Sequence, residues 1–407
     1  MTRPLHVPGD RVIDYDAFAQ ISIAEMRDRA EQWRSQGSVL WTDRNGGHWV
    51  VVSAAVAREV LGKPQLYSSA KPGQGVTLTK VERPLHVPLE MDPPEHRGYR
   101  ALLIPLFAPK RIALLQDLAR EIARERIEGF AHTGSCEIVG DFARPLASSM
   151  FMRLMDWPLE DRETLEAIVE QWLNGPMGVP PEERARLKIE AGRKADAYCR
   201  EQVERRRAGQ GATDDMTTAL MGSTVEGEPI DPEMLVRLLK LLMIAGLDTV
   251  YSTLSQSMAL LAASPKAQDY VRAHSDELPR IVEELLRWNA PAQVTRTAMV
   301  DAEFDGVRIA AGDTVHCLIA AINRDADEFG RPLELDFTRP TNRHLTFSAG
   351  PHKCIGSAMA RMMLAVALEE FHAAVESYEL ESEESHLGGV WGMNAVRLTL
   401  KAPATVG

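Results

Sequence analysis

The densest chemistry in this chain lies in ten residues, Phe347-Ser-Ala-Gly-Pro-His-Lys-Cys-Ile-Gly356. Gly350 and Pro351 force a turn, and Cys354 follows just ahead of a segment with helical spacing. A cysteine at that place meets free backbone N–H groups and the positive end of a helix dipole. Both favour a thiolate over a thiol, and His352 and Lys353 add positive charge nearby. Such a thiolate can ligate haem iron and push electron density toward O–O cleavage. Cys136, Cys199 and Cys317 stand far apart, with no CxxC or CxxCH spacing, and each reads as a small buried hydrophobe.

Three further segments carry reactive side chains. Ala245-Gly-Leu-Asp-Thr249 lies inside a long apolar helix. Glycine costs about 1 kcal/mol in a helix interior, so Gly246 marks a place where something approaches the backbone. Asp248 and Thr249 pair an acid with an alcohol, a combination able to relay protons through water into a dry pocket. Glu284-Leu-Leu-Arg287 sets an acid and a base at i and i+3 on one helix face; taken alone this is a surface salt bridge worth a few tenths of a kcal/mol. Met91-Asp-Pro-Pro-Glu-His-Arg-Gly-Tyr-Arg100 supplies His96 and Arg100, and Arg296 follows in VTRTA.

The elements that must position these groups are mostly helical. Apolar and charged residues alternate at helical spacing over 111–130, 161–173 and 182–207, the last two joined by the Gly- and Pro-rich NGPMGVPPE. Asp231-Pro232 is an N-cap followed by a proline at the first helical position, and the helix it opens runs to about residue 263. A helix over DELPRIVEELLRWN ends before Pro291, and another runs from Gly356 to about Val375. Strand signals are short: WVVVS near residue 50, a pair of strands over 307–323 around Gly312-Asp313, and AVRLTL near the C-terminus. The chain reads as mainly α with minor β, without repeats or a composition break, so one domain over 1–407 is expected.

Composition narrows the function classes. The 407 residues are 45% hydrophobic and 26% charged, an ordinary globular profile. With 46 basic and 58 acidic side chains the net charge is −12, which argues against a nucleic-acid protein. The N-terminus has no apolar core for a signal peptide, and the longest apolar tract, Leu235 to Leu247, is broken by Arg237 and Lys240. No membrane association is expected. Four scattered thiols suit a reducing cytoplasm. No GxGxxG fingerprint for a nicotinamide or flavin cofactor occurs.

The segment FSAGPHKCIG resembles the haem-binding loop of the cytochrome P450 family: Phe, then Gly three later, Cys four after that, and Gly two later, with Ser348 at a position where Gly is frequent. The other segments agree in order, and the resemblance runs from about residue 40 to the C-terminus. WTDRNGGHWVV, MDPPEH, AGLDTV and EELLR are most like soluble bacterial members similar to the camphor hydroxylase. The resemblance implies a single-domain cytochrome P450 fold, a long central helix over haem b (iron protoporphyrin IX), and Cys354 as the iron ligand. It implies haem contacts from Ala245 and Gly246, a proton-relaying pair Asp248 and Thr249, and propionate contacts from His96, Arg100, Arg296 and His352. It makes Glu284 and Arg287 a buried brace for the cysteine loop, completed by a further Arg or His.

Substrate positions follow from the same resemblance: His86, Leu241, Ile244, Ala292, Val294 and Trp391 fall where similar enzymes line the pocket. Pro84 stands where the camphor enzyme offers a tyrosine, and Trp391 where it has a small aliphatic residue, so camphor is not the expected substrate. The stretch between Tyr67 and Met91 also differs in length and composition. The implied activity is monooxygenation by O₂ of a small apolar substrate, a terpenoid or an ionone-like norisoprenoid. Electrons come from an iron–sulfur ferredoxin with its reductase. Asn174–Glu182 is a candidate lid, and Arg100, Arg111, Arg343, Lys353 and Arg361 form a candidate docking patch for that partner. A peroxide-driven peroxygenase, which usually lacks the acid–alcohol pair, and a haem sensor, which needs no relay, are the alternatives.

Overall fold

The computed structural model describes residues 6–70, 84–176 and 178–401. Helices dominate, and short strands form small sheets. The chain divides into two compact units, one of Met1–Tyr99, Glu284–Cys354 and His386–Trp391, the other of Arg100–Glu283, Ile355–Ser385 and Gly392–Gly407.

The first unit is built on a five-stranded sheet. Its strands lie in the order Val39–Thr42, His48–Val51, Thr314–Cys317, Val294–Ala298 and Tyr67–Ser68. The first two form a hairpin with Trp41 opposite Trp49, and its turn uses positive φ at Asn45, Gly46 and Gly47, the backbone that Asn and Gly adopt most readily. His48–Val51 runs parallel to Thr314–Cys317, whose other neighbour is antiparallel, placing Val315 opposite Arg296. β-branched and aromatic residues suit this pleated surface, and Val39, Trp49, Val51, Val315 and Ile309 are buried in its core.

The second unit is organised by the long helix Pro232–Ala262. Asp231 caps it by accepting hydrogen bonds from the N–H groups of Glu233 and Met234 at 2.9 and 3.0 Å, as the Asp-Pro start predicts. Helices Arg144–Met155, Arg162–Leu173 and Pro181–Arg207 pack along it, while Ser357–Ala374 packs on Gln116–Glu128. A three-stranded sheet of Ser377–His386, Gly392–Lys401 and Ser135–Glu137 adds a small β layer.

Two expectations change. The helix expected over 111–130 is two helices, Pro109–Ala113 and Gln116–Glu128. Between them the N–H groups of Leu114 and Leu115 bond three residues back, to Arg111 and Ile112, and this tighter turn breaks the α register. The strands within 307–323 are not partners. Val307–Ile309 pairs with Ala302–Phe304, Thr314–Cys317 joins the five-stranded sheet, and Ile319–Ile322 is a helical turn. Asp313 explains the switch: Oδ2 accepts from Ala310 N–H at 2.9 Å and from Trp49 Nε1–H at 2.8 Å, which ties the turn to the larger sheet.

Candidate functional site

The first unit holds the cysteine loop. Cys354 N–H donates to the Phe347 carbonyl at 2.8 Å and Lys353 N–H to Gly350 at 3.1 Å, closing the turn that Gly350 and Pro351 begin. Gly350 has φ +68°, and a Cβ there would lie 2.4 Å from the Leu61 carbonyl oxygen, so only glycine fits. Ser348 also takes a positive φ, 59°, which gives a physical reason for the frequency of glycine at that place. Cys354 is exposed, whereas Cys136, Cys199 and Cys317 are buried. Burial pushes the Cys136 and Cys317 thiols up to about 12 and raises Cys199 further. These three are the inert hydrophobes expected; Cys354 is the one presented outward.

A buried ion network braces this loop. Glu284 and Arg287 are almost wholly buried, not a surface pair. Arg287 grips the carboxylate with two hydrogen bonds of 2.8 and 2.7 Å. Arg339 adds one of 3.0 Å, and Asn342 and the Asp336 N–H fill the remaining acceptor sites. Burial alone would raise the Glu284 pKa, but the hydrogen bonds from Arg287 and Arg339 outweigh it and hold the group below the ordinary range. Arg339 is the further arginine that the resemblance implied. From the same helix, the Leu286 carbonyl accepts from Thr346 Oγ1 at 2.6 Å. Asn323 bonds both Thr346 Oγ1 and Leu345 N–H at 2.8 Å. The chain is therefore fixed immediately before Phe347.

The cations expected to meet a haem carboxylate are also in this unit, apart from Arg100. His96 and His352 are buried with ring centroids 4.3 Å apart. Arg296 is 2% exposed; one of its nitrogens donates to the Thr295 carbonyl at 2.8 Å and its Nη2 has no hydrogen-bond partner. Burial lowers its pKa to about 10, although Cys317 and Asp92 act the other way. A buried guanidinium with an unsatisfied nitrogen calls for an anion. A haem propionate meets that need, and with the outward Cys354 the residues present fit the cofactor. Arg100 lies one turn beyond His96 on the helix Glu95–Leu103.

The second unit carries the residues expected to handle protons, on Pro232–Ala262. Leu241, Ala245 and Thr249 recur at i+4, and this stripe is exposed at Ala245 and half-exposed at Leu241 and Thr249, while Tyr251 through Ala259 is buried. Thr249 Oγ1 donates to the Ala245 carbonyl at 2.9 Å. Gly246 has a partner that the sequence did not reveal: a Cβ there would lie 2.6 Å from the Phe151 ring, so the close approach is that of a neighbouring helix.

Asp248 is 2% exposed. Its Oδ1 accepts from the Tyr251 hydroxyl at 2.9 Å and its Oδ2 has no partner. Burial lifts its pKa to about 6, against the lowering effect of the Tyr251 hydrogen bond and the Arg144 charge. Tyr251, Arg144 and Glu170 were not foreseen. Tyr251 lies at i+3 from Asp248, a spacing that could have found it; the other two come from separate helices, and no sequence spacing joins them.

The expected substrate residues divide between the units. Ala292 bridges Val390, and Trp391 N–H donates to the Pro291 carbonyl at 2.8 Å. This backbone pairing brings the buried Trp391 beside Pro291 and Ala292, while the half-buried Val294 lies on the strand that follows. His86 is buried, its N–H donating to Glu90 Oε2 at 2.8 Å. Leu241 and Ile244 lie on the long helix of the second unit, Ile244 buried. Pro84 is exposed, and residues 71–83 of the divergent stretch lie outside the described residues, as does Met177 of the candidate lid. In that lid segment Gly175 and Gly178 take positive φ, and Lys188 Nζ donates to the Leu173 carbonyl at 2.7 Å. Of the candidate docking cations, Arg361 is paired with Glu283 and Arg343 with Glu328, which neutralises two of the five.

Comparison with known proteins agrees with this geometry. The family model described as Cytochrome P450 matches residues 33–386. A probable cytochrome P450 127A1 of Sinorhizobium fredii is 32% identical, over 87% of this chain and 83% of its own. The mycinamicin IV hydroxylase/epoxidase of Micromonospora griseorubida is 30% identical, over 85% of this chain and 86% of its own. Among solved structures, cytochrome P450 CYP101C1 is 31% identical with a TM-score of 0.85, covering 98% of this chain and 100% of that one. CYP101J2 is 27% identical with a TM-score of 0.86, over 99% and 100%. No helix among the described residues is long and apolar enough to cross a membrane. With the family model spanning most of its length and the cysteine loop in the family's register, the chain belongs to the cytochrome P450 family of haem-thiolate monooxygenases.

Proposed function

We propose that this monooxygenase hydroxylates a small, mostly apolar molecule, a terpenoid or an ionone-like norisoprenoid, with electrons from an iron–sulfur ferredoxin. The observation that supports the substrate class is the apolar character of the residues expected to line the pocket, Ala292, Val294 and Trp391 in the first unit. With Leu241 and Ile244 on the long helix, these residues bear no charge to anchor a carboxylate. Each methylene that a substrate buries contributes about 0.8 kcal/mol, while a single hydrogen bond, from His86 to a ketone or ether, contributes about 0.5–1.5 kcal/mol net. Shape therefore decides selectivity more than polarity, and the broad Trp391 ring favours a flat substrate over a bulky cage.

Within this reading Cys354 would ligate the haem iron, and Arg296, His96, His352 and Arg100 would hold the propionates. Of the two long-helix residues expected at the cofactor, Ala245 is exposed and would be the one free to meet it, because Gly246 accommodates the Phe151 ring. The haem supplies activation of O₂ when bound; the protein supplies the thiolate, the orientation of the substrate and a route for protons. Asp248 is suited to that route because it is buried, under-coordinated and able to change protonation near neutral pH. Thr249 offers a hydroxyl one residue on. This pair speaks against a peroxide-driven enzyme and against a haem sensor. The candidate lid over 174–182 and a single domain over 1–407 belong to the same proposal, as does the ferredoxin, which the likeness to the CYP101 structures supports.

The test has two arms. A panel of terpenoids and norisoprenoids is titrated for the low- to high-spin shift of the haem, and turnover of each binder is measured with ferredoxin, reductase and O₂ against hydrogen peroxide alone. Oxidised product only in the reconstituted system supports the proposal. Equal or better turnover with peroxide contradicts it, and tight binding of fatty acids in preference to terpenoids contradicts the substrate class.

A further inference from the structure

A narrow crevice in the second unit is lined by Arg144, Glu166, Val169, Glu170, Leu247, Asp248 and Tyr251. Three helices contribute to it: Arg144–Met155, Arg162–Leu173 and Pro232–Ala262. Its polar groups form a chain that grades from solvent to interior. Glu170 is 47% exposed and pairs with Arg144 Nη1 at 3.3 Å. The Arg144 guanidinium lies 4.8 Å from the Tyr251 ring centroid, and its Nη2 reaches the phenol oxygen at 3.4 Å. Tyr251 then donates to Asp248 Oδ1 at 2.9 Å.

We propose that Tyr251 and Arg144 are positioning residues for the Asp248 carboxyl, and that Glu170, at the solvent edge of the crevice, governs how strongly Arg144 bears on it. This rests on the reading of Asp248 as the residue that delivers protons. Arg144 sits between two carboxylates. Its ion pair with Glu170 draws positive charge toward the surface, and its stacking over Tyr251 holds the phenol against Asp248. The orientation is one-sided: Oδ1 is held and Oδ2 is left without a partner in a buried site. An unsatisfied buried oxygen is costly, and the arrangement keeps the carboxyl ready to accept a proton.

The other charges near the crevice are already engaged. Glu166 is held by Arg162 at 2.9 Å and by Ser148. The helix Pro181–Arg207 also packs on the long helix, and there Asp196 is paired with Lys240 at 2.7 Å, two turns before Asp248. The groups left to act on Asp248 are Tyr251 and Arg144, which favour its ionised form, and Glu170, which opposes it.

Opposite signs make the test specific. The Asp248 acid band is identified by difference infrared spectroscopy as the carboxyl signal lost in Asp248→Asn, and its midpoint is titrated in the full-length protein. Tyr251→Phe removes the donor, so the midpoint should rise from about 6 by about one pH unit. Glu170→Gln frees Arg144 from its surface partner, so the midpoint should fall. The pH profile of turnover should move with each. Midpoints that stay put, or move together in the same direction, overturn the proposal. Because Glu170 is at the surface, its variant decides the matter even where Tyr251→Phe folds poorly. If Asp248→Asn leaves turnover unchanged while the two midpoints move as stated, the proton-delivery reading fails and the positioning assignment stands.

Discussion

Glu284 and Asp248 are both carboxylates on helices, and both are buried to within a few per cent of complete exclusion from solvent. Their surroundings are opposite. Glu284 accepts from Arg287, Arg339, Asn342 and a backbone N–H, and is held ionised. Asp248 accepts from one phenol, leaves an oxygen unpaired and is lifted to about 6. Burial alone therefore does not set the role of an acid; the number of donors does. A saturated carboxylate fixes structure, here the approach to the cysteine loop. An unsaturated one can gain and lose a proton under working conditions.

The comparison breaks most visibly on the Glu284 side. Arg287→Ala leaves a buried carboxylate short of its main partner, and removing one member of a buried pair costs about 3–5 kcal/mol. Urea unfolding should show that loss. A loss below about 1 kcal/mol would place the pair in the class of surface bridges. Next in size is the contrast in pH dependence. The Glu284 pKa is depressed in the folded state, so its contribution to stability is present near neutrality and disappears as the pH falls through the folded value. The Asp248 pKa is raised, so its ionisation costs stability as the pH rises from about 4 to about 6. Asp248→Asn is accordingly expected to stabilise the fold by about 2–3 kcal/mol at pH 7 and by less near pH 4.5. Equal effects at the two pH values contradict the assignment.

Catalytic consequences sharpen the same contrast. Asp248→Asn should slow turnover while leaving substrate Kd nearly unchanged, since the proposed proton delivery follows binding. Thr249→Ala should keep oxygen consumption but divert it to hydrogen peroxide, read as peroxide released per electron supplied. An unaltered rate in the first and unaltered coupling in the second remove the pair from the proton route. The smallest effect is expected at the substrate wall. Trp391→Val should strengthen binding of camphor and weaken that of a flat ketone, each within the 1–3 kcal/mol typical of reshaping an apolar pocket. Spin-state titrations of both ligands decide it, and no change in either affinity defeats the pocket assignment.

Much of this was legible in the sequence wherever a function is confined to one short segment. The turn before Cys354, the Asp231-Pro232 helix start and the Glu284–Arg287 pair each depend on neighbours in the chain. Legibility ended where partners come from elsewhere. Gly246 accommodates Phe151, about a hundred residues away, and Arg144 and Glu170 reach Asp248's surroundings from two other helices. The strands within 307–323 looked like a hairpin because Gly312-Asp313 is a turn signal. Asp313 instead uses its carboxylate to bind Trp49, a contact that no local pattern encodes.

The central claim is that Cys354 alone among four cysteines is the haem ligand, and the spectrum of the reduced carbonyl complex tests it most directly. Wild type and the Cys136→Ser, Cys199→Ser and Cys317→Ser variants should each show the thiolate-type absorption, allowing for some loss of folded protein where a buried thiol is replaced. Cys354→Ser should lose that absorption together with monooxygenase turnover. Retention of both by Cys354→Ser, or their loss in a folded variant of one of the other three, would contradict the account.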